Sequence, residues 1–407
     1  MVLTCLPRVV QEKLLGKAHL RSNAQRRHLA WLVTAILLGV GPKLKRVAQC
    51  SQGVRHRTSL GWFLNRSDWD EAGLLAAEAQ RMLKRLRVRK GDVVDLILDD
   101  TRCVKRGRKM ADLSKLWDHS HQCFGHGHAV LVAAVHVRGV TLPWALRVWQ
   151  PKKVSGANYR KLTDLAAELV TCFEAPRGVR VRVLFDAAYL CPQVVHACNG
   201  RRFTWYSVAA RNRRFWRLRN ERTEKIEQFA AGVVKHRGRR VRLRRSFGWR
   251  WTRVAAEHGM LPKIGAVQLV FSKRPRDPAR HLLTVATNDL LSTPRAVLAI
   301  YERRWHIEVL FKELRTLGLG AYQLQHRNGI RRHLHVVCLA HLALTHHAIQ
   351  AVGAQAAVNK TIPVPPLRQR LDALRRQVRD DQADAFANRI QQPKVRRRVR
   401  EFLKLAA

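Results

Sequence analysis

Three short stretches of this chain carry acids at positions where a metal ion could use them. VVDLILDD (93–100) is an apolar, β-rich run that closes on Asp99 and Asp100. VRVRVLFD (179–186) is a second such run and closes on Asp186. YERRWHIEVLFKELR (301–315) has helical spacing, with Tyr301, Arg304, Glu308, Lys312 and Arg315 at steps of 3, 4, 4 and 3. At about 100° per residue these five share an arc of roughly 80°. Ile307, Leu310 and Leu314 fall on the other side. If the two strands are parallel neighbours, their carboxyl ends lie at the edge where open α/β sheets bind ligands. Two carboxylates there and a third from a helix across the edge suit one or two magnesium ions. Such a pair can activate an attacking oxygen and stabilise the leaving oxygen at a phosphodiester.

Each feature alone has a commoner reading. Asp-Asp-Thr at a strand end is usually a turn. Glu308 with Lys312 is usually a solvated surface pair. Together, on this chain, those readings lose ground because of its charge. Lys and Arg number 77 against 29 Asp and Glu, a formal net charge of +48. A surface of that kind attracts polyanions by phosphate contact and counterion release, so nucleic acid is the first candidate partner.

A membrane partner is disfavoured. The longest apolar run, LAWLVTAILLGV (29–40), falls short of the about 20 residues a span needs, and reads as a buried helix. MVLTCLPRVV lacks the layout of a signal peptide. Eight cysteines are scattered without a C-x-x-C pair, which fits a reducing cytoplasm and neither a disulfide framework nor a thiolate zinc site.

The elements that must position the acids follow from patterning. Residues 1–88 read as helical and basic, a candidate DNA-binding region, with Ser67 as a helix cap before EAGLLAAEAQRMLKRL. Residues 89–200 give strands at 93–100, 128–137 and 140–149, a helix at 158–173 and the strand ending on Asp186, an α/β order. Residues 201–290 read as a basic β insertion. Between 201 and 260 there are 18 Lys or Arg against 4 Glu, with tryptophans interleaved. Residues 291–352 return to the core with the glutamate helix, beginning near Thr293-Pro294, and an amphipathic helix at 329–352. Residues 353–407 hold the TIPVPP linker and a basic helical tail.

With these stretches in place, the chain resembles the DDE transposases of bacterial insertion sequences, in the subgroup marked by a Y-x2-R-x3-E-x6-K helix. Tyr301, Arg304 and Glu308 match that motif within IYERRWHIEVLFKELRTLGLGAYQ. LILDDTRCVKRGRKM and VLFDAAYL resemble the two aspartate motifs. SLGWFLNRSDWD and WDHSHQCFGHGHAVLVAAV resemble segments flanking the first, so the match runs in order over roughly 55 to 345.

The resemblance implies an RNase H-like catalytic core with a β-rich insertion, flanked by helical regions. It implies Mg2+-dependent cleavage at transposon ends, with Mn2+ as a substitute, then transfer of the freed 3′-OH to target DNA. Asp100, directly before threonine, matches the first metal ligand, with Asp99 the second choice. Asp186 and Glu308 match the other two. Tyr301 and Arg304 match residues that hold phosphate. The family lysine falls on Arg315, with Lys312 on the same face. The partners implied are double-stranded DNA, at the transposon ends and the target, and a second copy or more in a synaptic complex. The location implied is the bacterial cytoplasm, at the nucleoid. A non-catalytic DNA-binding derivative and a general RNase H-type nuclease are the competing readings.

Two clusters remain. His119, His121, Cys123, His126 and His128 match no standard zinc spacing and read as structural. Phe247, Trp249 and Trp251 alternate, which puts them on one strand face. Core packing is the first reading. A DNA-stacking role for Trp249 or Trp251 is the sharper one.

Overall fold

The computed structural model describes residues 19–51, 56–118, 122–245, 248–273, 282–352 and 361–387, with Pro7, Val10 and Glu401. Four helices precede the sheet among these residues: α1 (Asn23–Leu37), α2 (Leu44–Cys50), α3 (Arg57–Asn65) and α4 (Glu71–Arg85). Leu29 to Leu37 of α1 is buried without a break, as its apolar run predicts. Helix α4 starts later than the Ser67 cap implies. Asp70 is its N-cap, and its Oδ1 accepts from the Gly73 backbone N–H at 2.8 Å. Ser67 is committed elsewhere, its hydroxyl accepting from Gln25 Nε2 at 2.8 Å.

The strands are β1 (Val93–Lys105), β2 (Ser114–Asp118), β3 (Cys123–Val137), β4 (Val140–Val148), β5 (Arg180–Phe185), β6 (Thr204–Val208), β7 (Arg214–Arg217), β8 (Arg222–Lys225), β9 (Arg239–Arg245), β10 (Gly248–Leu261), β11 (Gly265–Lys273) and β12 (Leu283–Thr287). They form one sheet, ordered β2-β3-β1-β5-β6-β12-β11-β10-β7-β8, with β4 on β3 and β9 on β10. β1, β3 and β4 are antiparallel neighbours, while β5 runs parallel to β1 and β6 parallel to β5. This β4-β3-β1-β5-β6 order is the RNase H-like α/β core. The helices α5 (Lys152–Ser155) and α6 (Leu162–Cys172) connect β4 to β5, and α7 (Pro192–Gly200) connects β5 to β6. Val94, Leu96, Ile97 and Leu98 are all buried, as expected for a parallel strand covered on both faces.

The segment 201–290 departs from its β-only reading in two ways. β6 pairs with β5 and so extends the core sheet, and β12 closes on β6. The segment also contains a helix, α8 (Ile226–Arg237), with Ile226, Phe229, Ala230, Val233 and Val234 buried. That i, i+3, i+4, i+7, i+8 spacing is a helical signal embedded in a basic stretch.

Helix α9 (Pro294–Tyr301) is capped by Thr293 with proline in its first turn. A 3-10 turn, Glu302–Arg304, separates it from α10 (Trp305–Thr316), so the stretch read as one helix is interrupted. Helix α11 (Arg327–Val352) is central, packed against α1, α3, α4, β4 and α12 (Leu367–Ala387). It is buried on nearly every side and is not amphipathic. Its interior Arg332 is satisfied by Glu71 Oε2 at 3.5 Å and the Leu64 carbonyl at 3.0 Å. The TIPVPP segment lies on the β3–β4 turn, where Ile362 N–H donates to the Arg138 carbonyl at 2.7 Å.

Candidate active site

β1 does not stop at its aspartates. It runs five residues past Asp100, paired with β3 throughout, whereas its pairing with β5 ends at Leu98 opposite Phe185. Asp99 and Asp186 are therefore the next residues on two parallel strands, at the carboxyl end of their shared ladder.

Alternation along β1 divides the paired acids between the two faces of the sheet. The face of Asp95, Asp99 and Thr101 meets α10 and the turn before it. Arg303 Nη1 donates to Asp95 Oδ2 at 3.2 Å, Arg304 Nη1 to Asp99 Oδ2 at 2.7 Å, and Arg315 Nη2 to Thr101 Oγ1 at 2.5 Å. Arg182 of β5 also donates to Asp95, from Nε at 2.7 Å. Asp186 follows Arg182 by four residues of extended chain and so shares its face. Its Oδ1 accepts from the Ala187 N–H at 2.7 Å. Asp100 belongs to the other face, where its Oδ1 accepts from the Tyr189 hydroxyl at 2.8 Å. Tyr189 sits in the 3-10 turn that follows Asp186.

Arg304 is the hub. Its Nη1 also lies 3.7 Å from Glu308 Oε1, one helical turn on. Burial works against its charge, but Tyr301 and the carboxylates of Asp99, Asp186 and Glu308 outweigh that and raise its pKa. Burial pushes the Asp99 carboxyl up to about 7. Arg304 pulls it down, while Glu308 and Asp100 add to the rise. Tyr301 is mostly buried, and its hydroxyl pKa is raised first by burial, with Arg304 opposing and Asp186 and Asp99 adding. A positive charge among these acids would relieve their mutual repulsion, and the guanidinium supplies it here. Among the described residues, no three His, Cys, Asp or Glu side chains converge as a ready metal-ligand set.

The remaining candidates separate. Arg315 is engaged by Thr101. Lys312 Nζ lies 5.7 Å from the centroid of the Trp305 ring. Trp251 is 52% exposed, which removes it from the core reading, and the Arg240 guanidinium lies 5.5 Å from its ring. Trp251 pairs with Arg242 across β9–β10, and Arg240, Arg242 and Arg253 share its solvent-facing side. The side chain of Trp249 and all of Phe247, His119 and His121 lie outside the described residues. His128 is structural as expected, held by the Ala111 carbonyl at 2.8 Å and the Tyr322 hydroxyl at 2.7 Å.

Sequence reasoning missed Tyr189, Arg303 and Asp95. An acid inside the apolar run VVDLIL was the available signal for Asp95, since a buried carboxylate needs partners.

Residues 158–343 match the family model described as the transposase DDE domain. That span holds Asp186, Tyr301, Arg304, Glu308, Lys312 and Arg315, and begins after Asp99 and Asp100. A search of the curated proteins gives no match to this chain. Among the described residues, no helix is long and apolar enough to cross a membrane.

Proposed function

We propose, from the transposase DDE domain this chain carries over residues 158–343, that it binds the terminal inverted repeats of its element, cuts the DNA there and joins the 3′-OH to target DNA. The observation that carries this reading is the grouping of Asp99, Asp186 and Glu308 around one guanidinium, at the carboxyl end of the β1–β5 pair. Hard carboxylate oxygens suit Mg2+, or Mn2+ in its place. The buried Asp99 carboxyl, pushed up to about 7 beside other acids, fits a site that a divalent cation would stabilise. Bound there, divalent cations would supply an activated oxygen nucleophile and charge neutralisation at the phosphate.

The protein's own residues do the rest. Asp186 and Glu308 hold ligand oxygens at the sheet edge, with one acid of the Asp99–Asp100 pair. The geometry favours Asp99, which shares Arg304 with Glu308. The resemblance favours Asp100, whose Oδ1 is held by Tyr189. Arg304 and Tyr301 offer a cation and a hydroxyl to the phosphate. Lys312 and Arg315 extend that grip along α10, and Trp251 with its neighbouring arginines holds DNA away from the cut. Two ends must be joined, so the working unit is a dimer or larger.

The test is nicking of a duplex carrying the DNA end that flanks the gene, with Mg2+. Asp186→Asn and Glu308→Gln should each slow it by at least about a hundredfold; wild-type rates would sink the assignment. Asp99→Asn against Asp100→Asn decides the first ligand. Equal cutting of unrelated duplex would favour a general nuclease.

A further inference from the structure

The sheet does not end at the acids. β1, β3 and β2 run on past Asp99 and Asp100 as a three-stranded ribbon. Lys105 of β1, His126 of β3 and Lys115 of β2 stand in one row across it, and Trp117 stands opposite Phe124 two residues further out. Opposed residues share a side, and alternation puts all five on the face of Asp99 and Thr101. Phe124 is 62% exposed, and His126 and Lys115 are exposed beside it. Phe124 meets Trp117 edge to face, with ring centroids 5.0 Å apart, and Lys115 Nζ lies 4.6 Å from the Phe124 centroid. The ammonium is thus held over a ring at the outer end of the ribbon. Arg102 ties β1 to β2, its Nη1 donating to the Trp117 carbonyl at 2.5 Å.

Charge selects the occupant. Residues 102–117 hold six Lys or Arg and one acid, Asp112. Arg327 already takes both oxygens of that acid. Arg106, Arg108 and Lys109, in the β1–β2 connection, are exposed. Such a surface attracts phosphates. An apolar protein partner closing over Phe124 would have to desolvate the Lys115 ammonium. A β-ribbon, in contrast, has the width to follow a groove of duplex DNA. The ribbon also lies across the acids from the insertion: β10 is reached from β1 through β5, and β2 through β3. A duplex end seated on the insertion and laid over the acids continues on this side, before it is cut, as the DNA outside the element.

We propose that the β1–β3–β2 ribbon is the docking surface for the flanking duplex beyond the cut, with Lys115, poised over Phe124, and Arg106, Arg108 and Lys109 meeting its phosphates. The choice of flanking DNA rests on the transposase reading above. Lys115 lies six residues along the strands from Asp99 and two strands across. That is about 20 Å by about 10 Å, or roughly 22 Å in a straight line. A flank of about six or seven base pairs spans it.

The test uses the full chain in an Asp186→Asn background, so that no signal depends on cutting. Three duplexes carry the same element end, with no flank, about three base pairs of flank, or about twelve. Lys109→Gln combined with Lys115→Gln should weaken binding of the longest probe about tenfold and lower its slope of log affinity against log salt by about two. Binding of the two shorter probes should stay within about twofold, which also shows that the variant folds. Phe124→Leu should weaken the longest probe about threefold and add nothing in a Lys115→Gln background. An equal loss on all three probes overturns the proposal. So does a loss confined to capture of an unrelated target duplex by the flankless complex. Nicking by the chain with Asp186 intact reads the transposase assignment separately. If nicking occurs without the flank-dependent loss, the docking surface fails and the assignment stands. If the loss occurs without nicking, the surface stands and the assignment fails.

Discussion

Asp99 and Glu308 are tied to the same nitrogen of Arg304, which donates to Asp99 Oδ2 at 2.7 Å and lies 3.7 Å from Glu308 Oε1. A strand and a helix from distant parts of the chain are joined there by one side chain. Arg304→Ala should leave the carboxylates facing one another without a counter-charge. Added Mg2+ should then raise the melting temperature of the variant more than that of the wild type, while nicking falls by at least about a hundredfold. Arg304→Lys should recover little activity, since the shorter lysine side chain does not carry its ammonium to the position of Nη1 between the two carboxylates. A thermal-shift series in Mg2+ and a single-turnover nicking assay check both parts.

Asp95 is 1% exposed and accepts from Arg182 and Arg303 together. Removing the acid leaves the less exposed Arg182, 16% exposed, without its carboxylate. Asp95→Ala should cost about 3–5 kcal/mol in urea unfolding. A loss under about 1 kcal/mol would show that water replaces the acid.

Arg315 stands where the resembling family has lysine, and its bond to Thr101 gives the arginine a structural reason. The contact is a single bond from Nη2, and lysine ends in a compact ammonium on a shorter side chain that does not carry a donor to that position. Arg315→Lys should lower stability by about 1 kcal/mol and keep measurable nicking. In a Thr101→Val background the same substitution should cost almost nothing, a double-mutant cycle that isolates the contact.

Much of this was legible in the sequence. Asp186 closes an apolar run, and Glu308 sits on a 3-and-4 stripe; both patterns survive in the fold. The choice between Asp99 and Asp100 was not legible. Adjacent strand residues face opposite ways, and nothing in LILDDT says where pairing with a distant strand will stop. The 3-10 turn at Glu302–Arg304 was hidden for a related reason. ERR is compatible with helix, and in the fold Arg303 and Arg304 of that turn reach Asp95 and Asp99 on β1. Trp251 was misassigned to the core because alternation tells that residues share a face but not which face is wet.

Glu313 gives a pH signature. Burial opposes its ionisation, but the hydrogen bond from His341 and the Arg370 guanidinium outweigh it and hold its pKa at about 2, below the usual 4.5. His341 itself is buried and its pKa is lowered, so it serves as a neutral donor near pH 7. A depressed folded-state value stabilises the fold above the unfolded pKa and is lost as pH falls towards 2. Glu313→Gln should therefore be most destabilising above about pH 4.5, with the gap to wild type narrowing as pH drops. Melting temperatures of both proteins between neutral and acid pH check the sign.

On the insertion, Trp251→Ala should weaken DNA binding about tenfold with little change in salt dependence. Arg240→Gln should instead lower the slope of log affinity against log salt by about one. Titrations at several salt concentrations separate the two.

The unbroken sheet gives the molecule a ruler. From the Trp251 strand to the Asp99 strand there are five hydrogen-bonded steps, β10-β11-β12-β6-β5-β1. At about 4.8 Å per step that is roughly 24 Å, or about seven base pairs at 3.4 Å. Backbone hydrogen bonds hold the length, with no hinge between the two ends of it. A duplex seated on the arginine ribbon would therefore meet the acids at an offset set by the count of strands between them.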